Sequence, residues 1–156
     1  MKKLSVLLVA VFLSGCSVLL QEPNCTPHHE EIKKVDRAEL AAVIGFADGS
    51  SEITLKDKEV LHRVAQKALD ENAKIVVYGH ASHRTVTKNI LQRILINLKV
   101  SNERAIHTAA VLASYGVDFS DINTVALFDS RPVKAEIDRA AEAANRRAEV
   151  YLYWLK

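Results

Sequence analysis

The first sixteen residues limit what the rest of this 156-residue chain folds into. Two lysines are followed by an apolar stretch from Leu4 to Leu13 and then by Ser14-Gly15, the pattern of a secretory signal peptide with small residues before its cleavage point. The stretch is shorter than the roughly 20 apolar residues of a transmembrane helix. Removal of residues 1–15 leaves 141 residues, which is enough for one domain with a hydrophobic core.

Cys16 follows this segment directly and resembles the cysteine of the bacterial lipobox, which is diacylated and becomes the first residue of the mature protein. The resemblance implies a chain tethered by lipid outside the cytoplasm, because several acyl chains together anchor a protein stably. Ser17 follows the lipid site in place of aspartate, which favours the outer membrane in enteric-type sorting. Acylation leaves Cys25 as the only free thiol, so an internal disulfide is excluded and the fold must depend on packing.

The charge of the mature chain and the composition of its first residues limit the possible partners and the domain boundaries. The full chain carries a formal charge of +2, and Lys2 and Lys3 account for both charges, so the mature chain is neutral and no nucleic-acid partner is indicated. Residues 16–40 are rich in turn-forming and polar residues, which predicts a lipidated tether. Fully extended, such a tether reaches about 80 Å. The globular domain is predicted over residues 41–156.

The first half of that domain alternates between strand and helix patterns. The apolar run 42–46 ends at Asp48-Gly49-Ser50-Ser51 and predicts a strand running into a turn. Thr54, with Asp57 three residues later, predicts the N-cap of a helix over 55–71. The run 74–78 predicts a buried strand.

The second half contains one unusual segment. Apolar residues between 90 and 98 recur at helical spacing, and Ser101 predicts the N-cap of a second helix that ends at Tyr115, with Gly116 after it. Further along the chain, the pattern predicts a strand, a short helix and a last strand, over 122–128, 134–144 and 147–154. The order β-α-β-α-β-(α)-β predicts an α/β sandwich, with helices packed on one mixed β-sheet.

Five segments resemble, in the right order, the motifs of the OmpA-like C-terminal domain that is also found in Pal and MotB. They are Phe46 to Ile53, Tyr78-Gly79-His80, Asn97 to Ala105, Asp129 to Val133 and Asn145-Arg146-Arg147. Members of this family bind peptidoglycan non-covalently through the diaminopimelate of the stem peptide. That ligand group is zwitterionic, so it needs a carboxylate for its ammonium and an arginine for its carboxylate.

The resemblance implies a ligand site built from five positions. Arg104 matches the carboxylate-binding arginine, Asn97 the motif asparagine, and Arg146 an arginine that lines the site. Asp48 lies in the first loop, where family members also contact ligand. Ser82 stands where the family has the aspartate that holds the ammonium, so weaker binding is expected, since a hydroxyl cannot pair charge.

Each of these residues also has a structural interpretation. Arg104 is alternatively a solvated helix-surface arginine, Ser82 a turn cap and Asn97 a residue that holds a loop. Arg146 is alternatively a strand-edge charge. The helix N-terminus predicted at Ser101 would offer backbone amides to a ligand carboxylate.

Two further alternatives concern the segment between His80 and Asn97, which is longer than is usual in the family. The insertion 84–98 is either packed on its own core or exposed for protein partners of an envelope-spanning secretion or conjugation machine. Burial of its apolar stripe would weaken the second alternative. His80 and His83 have the spacing of metal ligands, but no Cys, Asp or Glu nearby in sequence completes a site. No nucleophile, phosphate-binding or cofactor motif occurs, so the sequence predicts a non-enzyme without a cofactor.

Overall fold

The computed structural model describes residues 34–84 and 87–156. The predicted signal peptide, the lipidation at Cys16 and nearly all of the tether lie outside the described residues and stay predictions. No helix within the described part is both long and apolar enough to cross a membrane.

The described chain forms four strands and three α-helices around one mixed sheet. In chain order they are β1 (Val35–Gly45), α1 (Leu55–Asp70), β2 (Lys74–Gly79), α2 (Ile90–Ser114), β3 (Ile122–Ala126), α3 (Arg139–Asn145) and β4 (Arg147–Leu155). The strand order is β1-β4-β2-β3, with β2 parallel to β3 and the other two pairings antiparallel. The predicted α/β class and the mixed sheet are therefore confirmed.

The predicted boundary of the tether at residue 40 is too late. β1 begins at Val35, and its residues pair with the far end of β4 as early as the contact of Val35 with Leu155. The first six residues of β1 are half-buried or exposed, so they carry little of the apolar signal that marks a strand in sequence. Backbone pairing to β4, which sequence patterns do not report, extends the strand.

The start of α1 is confirmed. The Thr54 side chain accepts a hydrogen bond from the Asp57 backbone N–H at 3.2 Å, which satisfies one of the unpaired amides of the first turn. The apolar stripe of α1 then packs against the sheet and α2. Its buried members are Leu61, Val64, Ala65 and Ala68.

One face of the sheet is covered by helices and forms the core. In β2 and β4 the inward-facing residues alternate with half-buried ones, as one-sided packing requires. The fully buried inward side chains of these strands are Ile75, Val77, Ala148, Val150 and Leu152. The core therefore lies between the two central strands and the long helices.

The two helices predicted around Ser101 are one continuous helix, so the prediction of an N-cap there was wrong. α2 runs from Ile90 to Ser114, and its N-cap is Asn89, whose side chain accepts from the Gln92 backbone N–H. Ser101 is fully buried in the middle of the helix, where its hydroxyl donates to the Leu98 carbonyl at 2.9 Å. A serine that bonds to the preceding turn is tolerated inside a helix. Arg104 therefore lies in the interior of α2 and not in the first turn of a helix.

The ends of the later elements differ from the pattern by a few residues, for local reasons. α2 stops as predicted, since Gly116 takes a positive φ of 99° just past its end. β3 ends at Ala126, shortly before Phe128, which has a φ of 38°. α3 begins only at Arg139, because the Asp138 side chain caps it by accepting from Ala141.

Candidate functional site

A cavity of about 510 Å³ opens where the loop after β1, the loop after β2, the middle of α2 and the C-terminal part of α3 meet. All five positions implied by the family resemblance line it, although they come from four separate parts of the chain. They are Asp48, Ser82, Asn97, Arg104 and Arg146. Two further charged residues, Arg84 and Glu142, also line the cavity. The cavity therefore holds three arginines and two acids.

Arg104 is the most buried of these side chains, with only 1% of its surface exposed. Its guanidinium donates to three backbone carbonyls: Nε to Ser50 at 2.9 Å, Nη1 to His80 at 2.7 Å and Nη2 to Ala47 at 3.4 Å. The alternative of a solvated surface arginine is therefore wrong. A guanidinium has five N–H donors, so two remain for a ligand. Arg104 both clamps the loop after β1 to the end of β2 and contributes positive charge to the cavity.

The charge of Arg104 persists in this environment. Burial, and after it the charge of the nearby Arg146, lower the pKa of Arg104 to about 10, while Asp48 and Glu103 oppose the shift. A pKa of about 10 leaves the guanidinium protonated at neutral pH. Arg146 itself is half-buried, and its Nε donates to the Phe46 carbonyl at 3.3 Å. Asp48 is exposed at the edge of the cavity.

Ser82 is buried, and its hydroxyl is occupied. It donates to the Glu136 carboxylate at 2.8 Å, and the same carboxylate accepts from the backbone amides of His83 and Arg84 and from Asn145 Nδ2. Burial raises the pKa of the Glu136 carboxyl, but these four hydrogen bonds outweigh burial, and the net pKa lies below the usual range. Ser82 therefore holds the loop before α3 through Glu136, a structural role similar to the turn cap that the sequence offered as an alternative.

Glu142 is the acid in the wall of the cavity, and sequence reasoning missed it. Its side chain is 12% exposed and forms an ion pair with Nη1 of Arg84, whose own side chain is 73% exposed. A signal was present, because Glu142 precedes Arg146 by four residues, and side chains four apart share one face of a helix. Arg84 gave no comparable signal, since it lies 58 residues from its partner.

Asn97 is 3% exposed, and its Nδ2 has no hydrogen-bond partner within residues 34–84 and 87–156. Buried polar groups normally have a partner, because an unpaired one keeps its full desolvation cost. The amide group at the cavity wall is therefore a donor that a bound ligand can satisfy. The alternative that Asn97 holds a loop through this donor has no support in the described contacts.

The two histidines with metal-ligand spacing face different carboxylates. His80 Nε2 lies 3.7 Å from Glu149, whereas His83 Nδ1 lies 2.7 Å from Asp129. No group of three or more His, Cys, Asp or Glu residues that could hold a metal occurs in the described part of the chain. His80 is 2% exposed, and neither of its ring nitrogens has a hydrogen-bond partner among the described residues.

We expect His80 to make the fold less stable in mild acid. Burial and then Arg147 lower the pKa of His80 from 6.5 to about 4, with Glu149 opposing and Arg131 adding to the effect. Between these two pH values the unfolded chain binds more protons, so the free energy of unfolding should fall as the pH falls from about 6.5 towards 4. Urea unfolding of the wild type and of His80→Gln at several pH values measures how much of this pH dependence comes from His80. An equal slope in both proteins would show that His80 does not contribute.

Comparison with known proteins shows which family and which solved structures this chain resembles. The OmpA family profile matches residues 45–148, whereas comparison with curated proteins finds no match. The peptidoglycan-associated lipoprotein of Burkholderia pseudomallei is 24% identical, with 72% of this chain and 89% of that one covered and a TM-score of 0.63. The cell wall anchor of the T6SS from Pseudomonas aeruginosa is 23% identical, with 71% and 78% covered and a TM-score of 0.59.

A third solved structure is similar to this chain. The C-terminal domain of Helicobacter pylori MotB is 18% identical, with 71% of this chain and 83% of that one covered and a TM-score of 0.61. At these identities the structures support the fold, while the profile match over 45–148 covers more than half of the chain. The chain belongs to the OmpA family.

Proposed function

We propose that this protein is an outer-membrane lipoprotein that binds peptidoglycan non-covalently through the cavity described above. The ligand group is the diaminopimelate of the stem peptide. The single observation that supports this most is that one cavity gathers Arg104, Arg146 and Asn97 with the carboxylates of Asp48 and Glu142. The names of two similar structures, a peptidoglycan-associated lipoprotein and a cell wall anchor, point the same way.

The charges of the cavity suit a zwitterionic ligand. The two free N–H groups of Arg104 and the guanidinium of half-buried Arg146 can receive a carboxylate, and arginine does so with directional, charge-assisted hydrogen bonds. The unpaired Nδ2 of Asn97 adds a neutral donor. An acid in the same cavity can receive an ammonium. We therefore expect the cavity to prefer a ligand that carries both a carboxylate and an ammonium.

Anchoring follows from the position of the domain behind Cys16. The lipid holds one end, and β1, the first described strand, begins at Val35, so the proposed tether is residues 17–34. Eighteen residues span at most about 65 Å when fully extended. The domain therefore reaches only peptidoglycan that lies near the membrane, which ties the outer membrane or an envelope complex to the wall.

Co-sedimentation with purified sacculi tests the proposal. The full-length wild type, in detergent, is expected to sediment with the sacculi. Arg146→Ala should bind about tenfold or more weakly, because a charge-assisted hydrogen bond to the ligand is lost. Arg63→Ala, which removes an exposed arginine of α1 far from the cavity, is the matched control and should bind like wild type. Wild-type protein that stays in the supernatant would contradict the proposal.

A second candidate function is a structural role in an envelope-spanning machine. The N-terminal half of α2 exposes an apolar stripe, since Ile90, Leu91, Leu95 and Leu98 are 67%, 66%, 56% and 42% exposed. Only Ile94 is half-buried. The interpretation that this stripe packs on its own core is therefore wrong, and an exposed apolar patch favours a protein partner.

The second candidate predicts a separation of two activities. A chain with Leu91→Asp and Leu95→Asp should keep its stability within about 0.5 kcal/mol, because both side chains are exposed. It should still bind sacculi but should leave the envelope complex, which sedimentation of solubilised membranes measures. If the substituted chain stays with the complex, the stripe is not the contact surface.

A further inference from the structure

The family aspartate that holds the ligand ammonium is absent here, and the structure shows which acids remain near the cavity. Glu136, the acid bound by Ser82, is already saturated by four donors and does not line the cavity. Asp48 lies exposed at the edge, where water screens its charge. Glu142 lies in the wall with a side chain that is 12% exposed. Of the two acids that line the cavity, Glu142 is therefore the one that is better shielded from water.

The partner of Glu142 in the free protein is itself a cation. Among the described residues only Arg84 donates to the Glu142 side chain, through Nη1 to Oε1. The backbone N–H of Arg84 donates to Glu136, whereas its side chain is 73% exposed and forms an ion pair with Glu142. A long exposed side chain held by one ion pair is weakly attached, because ordering it costs entropy and water competes for its charge. A ligand cation could therefore displace Arg84 from the Glu142 carboxylate.

A second observation at the same cavity points to an absent ligand. Asn97 Nδ2 is buried and has no hydrogen-bond partner in the described part of the chain. Asn97 lies on α2 and Glu142 lies on α3, so the cavity is lined by a buried donor without a partner on one helix and by a carboxylate that Arg84 holds on the other. A ligand with an amine and an acceptor group would satisfy both.

We propose that Glu142 binds the ammonium of the ligand and that Arg84 holds its place in the free protein until the ligand displaces it. This inference rests on the proposed function and names the group that replaces the family aspartate. It moves the ammonium contact from the end of β2 to α3. It also makes binding a competition between two cations for one carboxylate.

The test compares two soluble stem peptides on full-length protein in detergent, by isothermal titration calorimetry. One peptide carries diaminopimelate with a free side-chain amine, and the other carries the same residue with that amine acetylated. Wild type should prefer the free amine by about tenfold or more, the effect expected for a hydrogen bond to a charged group. Glu142→Gln should lose this preference, whereas Glu59→Gln, which changes an exposed glutamate of α1, should keep it. Arg84→Gln should bind the free amine more tightly than wild type.

The outcomes separate this inference from the proposed function. If wild type binds sacculi and prefers the free amine but Glu142→Gln keeps that preference, the inference is wrong and the proposed function stands. If Arg84→Gln binds more weakly, Arg84 contacts the ligand and does not compete with it. If wild type binds neither sacculi nor peptide, both fail. The comparison of the two peptides on wild type requires no substitution, so it is informative even where a variant folds poorly.

Discussion

Gly79→Ala is expected to destabilise the fold by about 3 kcal/mol or more, the upper range for overpacking against a rigid neighbour. A Cβ at this position would lie 1.9 Å from the backbone oxygen of Ser101 and 2.8 Å from its carbonyl carbon. Both atoms belong to the middle of α2, so relief requires the helix to move away from β2. Urea unfolding monitored by circular dichroism measures the loss.

Gly45→Ala is the matched control for this substitution. No heavy atom lies within 4 Å of the Cβ that it would add, so a small effect is expected. Equal unfolding midpoints for the two variants would show that α2 and β2 do not approach as closely as described. The contact matters for the site, because it brings Arg104 within 2.7 Å of the His80 carbonyl just after Gly79.

Arg104→Ala is expected to lower the free energy of unfolding by about 3 kcal/mol or more. It should also disorder the loop after β1, which forms one wall of the cavity. The substitution removes the donor from three backbone carbonyls, of which that of His80 is bonded in a fully buried position. Each buried acceptor left without a partner costs about 1–3 kcal/mol. Thermal and urea unfolding check the effect. Arg63→Ala, on the surface of α1, should be close to wild type.

This expectation changes how an Arg104 variant is interpreted. Loss of sacculus binding in Arg104→Ala would report collapse of the loop between Ala47 and Ser50 as much as loss of a ligand contact. Among the described residues, the Arg146 side chain makes one hydrogen bond, from Nε to the Phe46 carbonyl at 3.3 Å, so Arg146 is the cleaner position for testing binding. An Arg104→Ala chain as stable as wild type would contradict the clamping role.

Much of the fold follows from short-range patterns. The Thr54 cap, the central strand predicted over 74–78 and found over 74–79, and the stop at Gly116 each depend on residues within a few positions. The break predicted at Ser101 was wrong because a serine hydroxyl that can cap a helix can also bond within it. The choice between the two depends on the preceding turn, which here is helical.

The sequence located five residues that line one cavity, but it did not predict their contacts. Family motifs located the five residues, and they share one cavity. The bonds of Ser82 to Glu136 and of Arg84 to Glu142 join residues 54 and 58 positions apart, so only the folded chain shows them. The segment from 84 to 98 could not be resolved from periodicity, because an apolar stripe looks the same whether it is buried or exposed.

Titration of the ¹⁵N-labelled full-length protein, in micelles, with a soluble diaminopimelate stem peptide shows directly whether the ligand binds in the cavity. Binding in the cavity predicts chemical-shift changes at the amides of residues 47–50, 80–84 and 142–146 and at the side chains of Asn97 and Arg104. The exposed half of α2 before Asn97 should not shift. Shifts confined to other surfaces, or none at peptide concentrations that saturate binding to sacculi, would contradict the account.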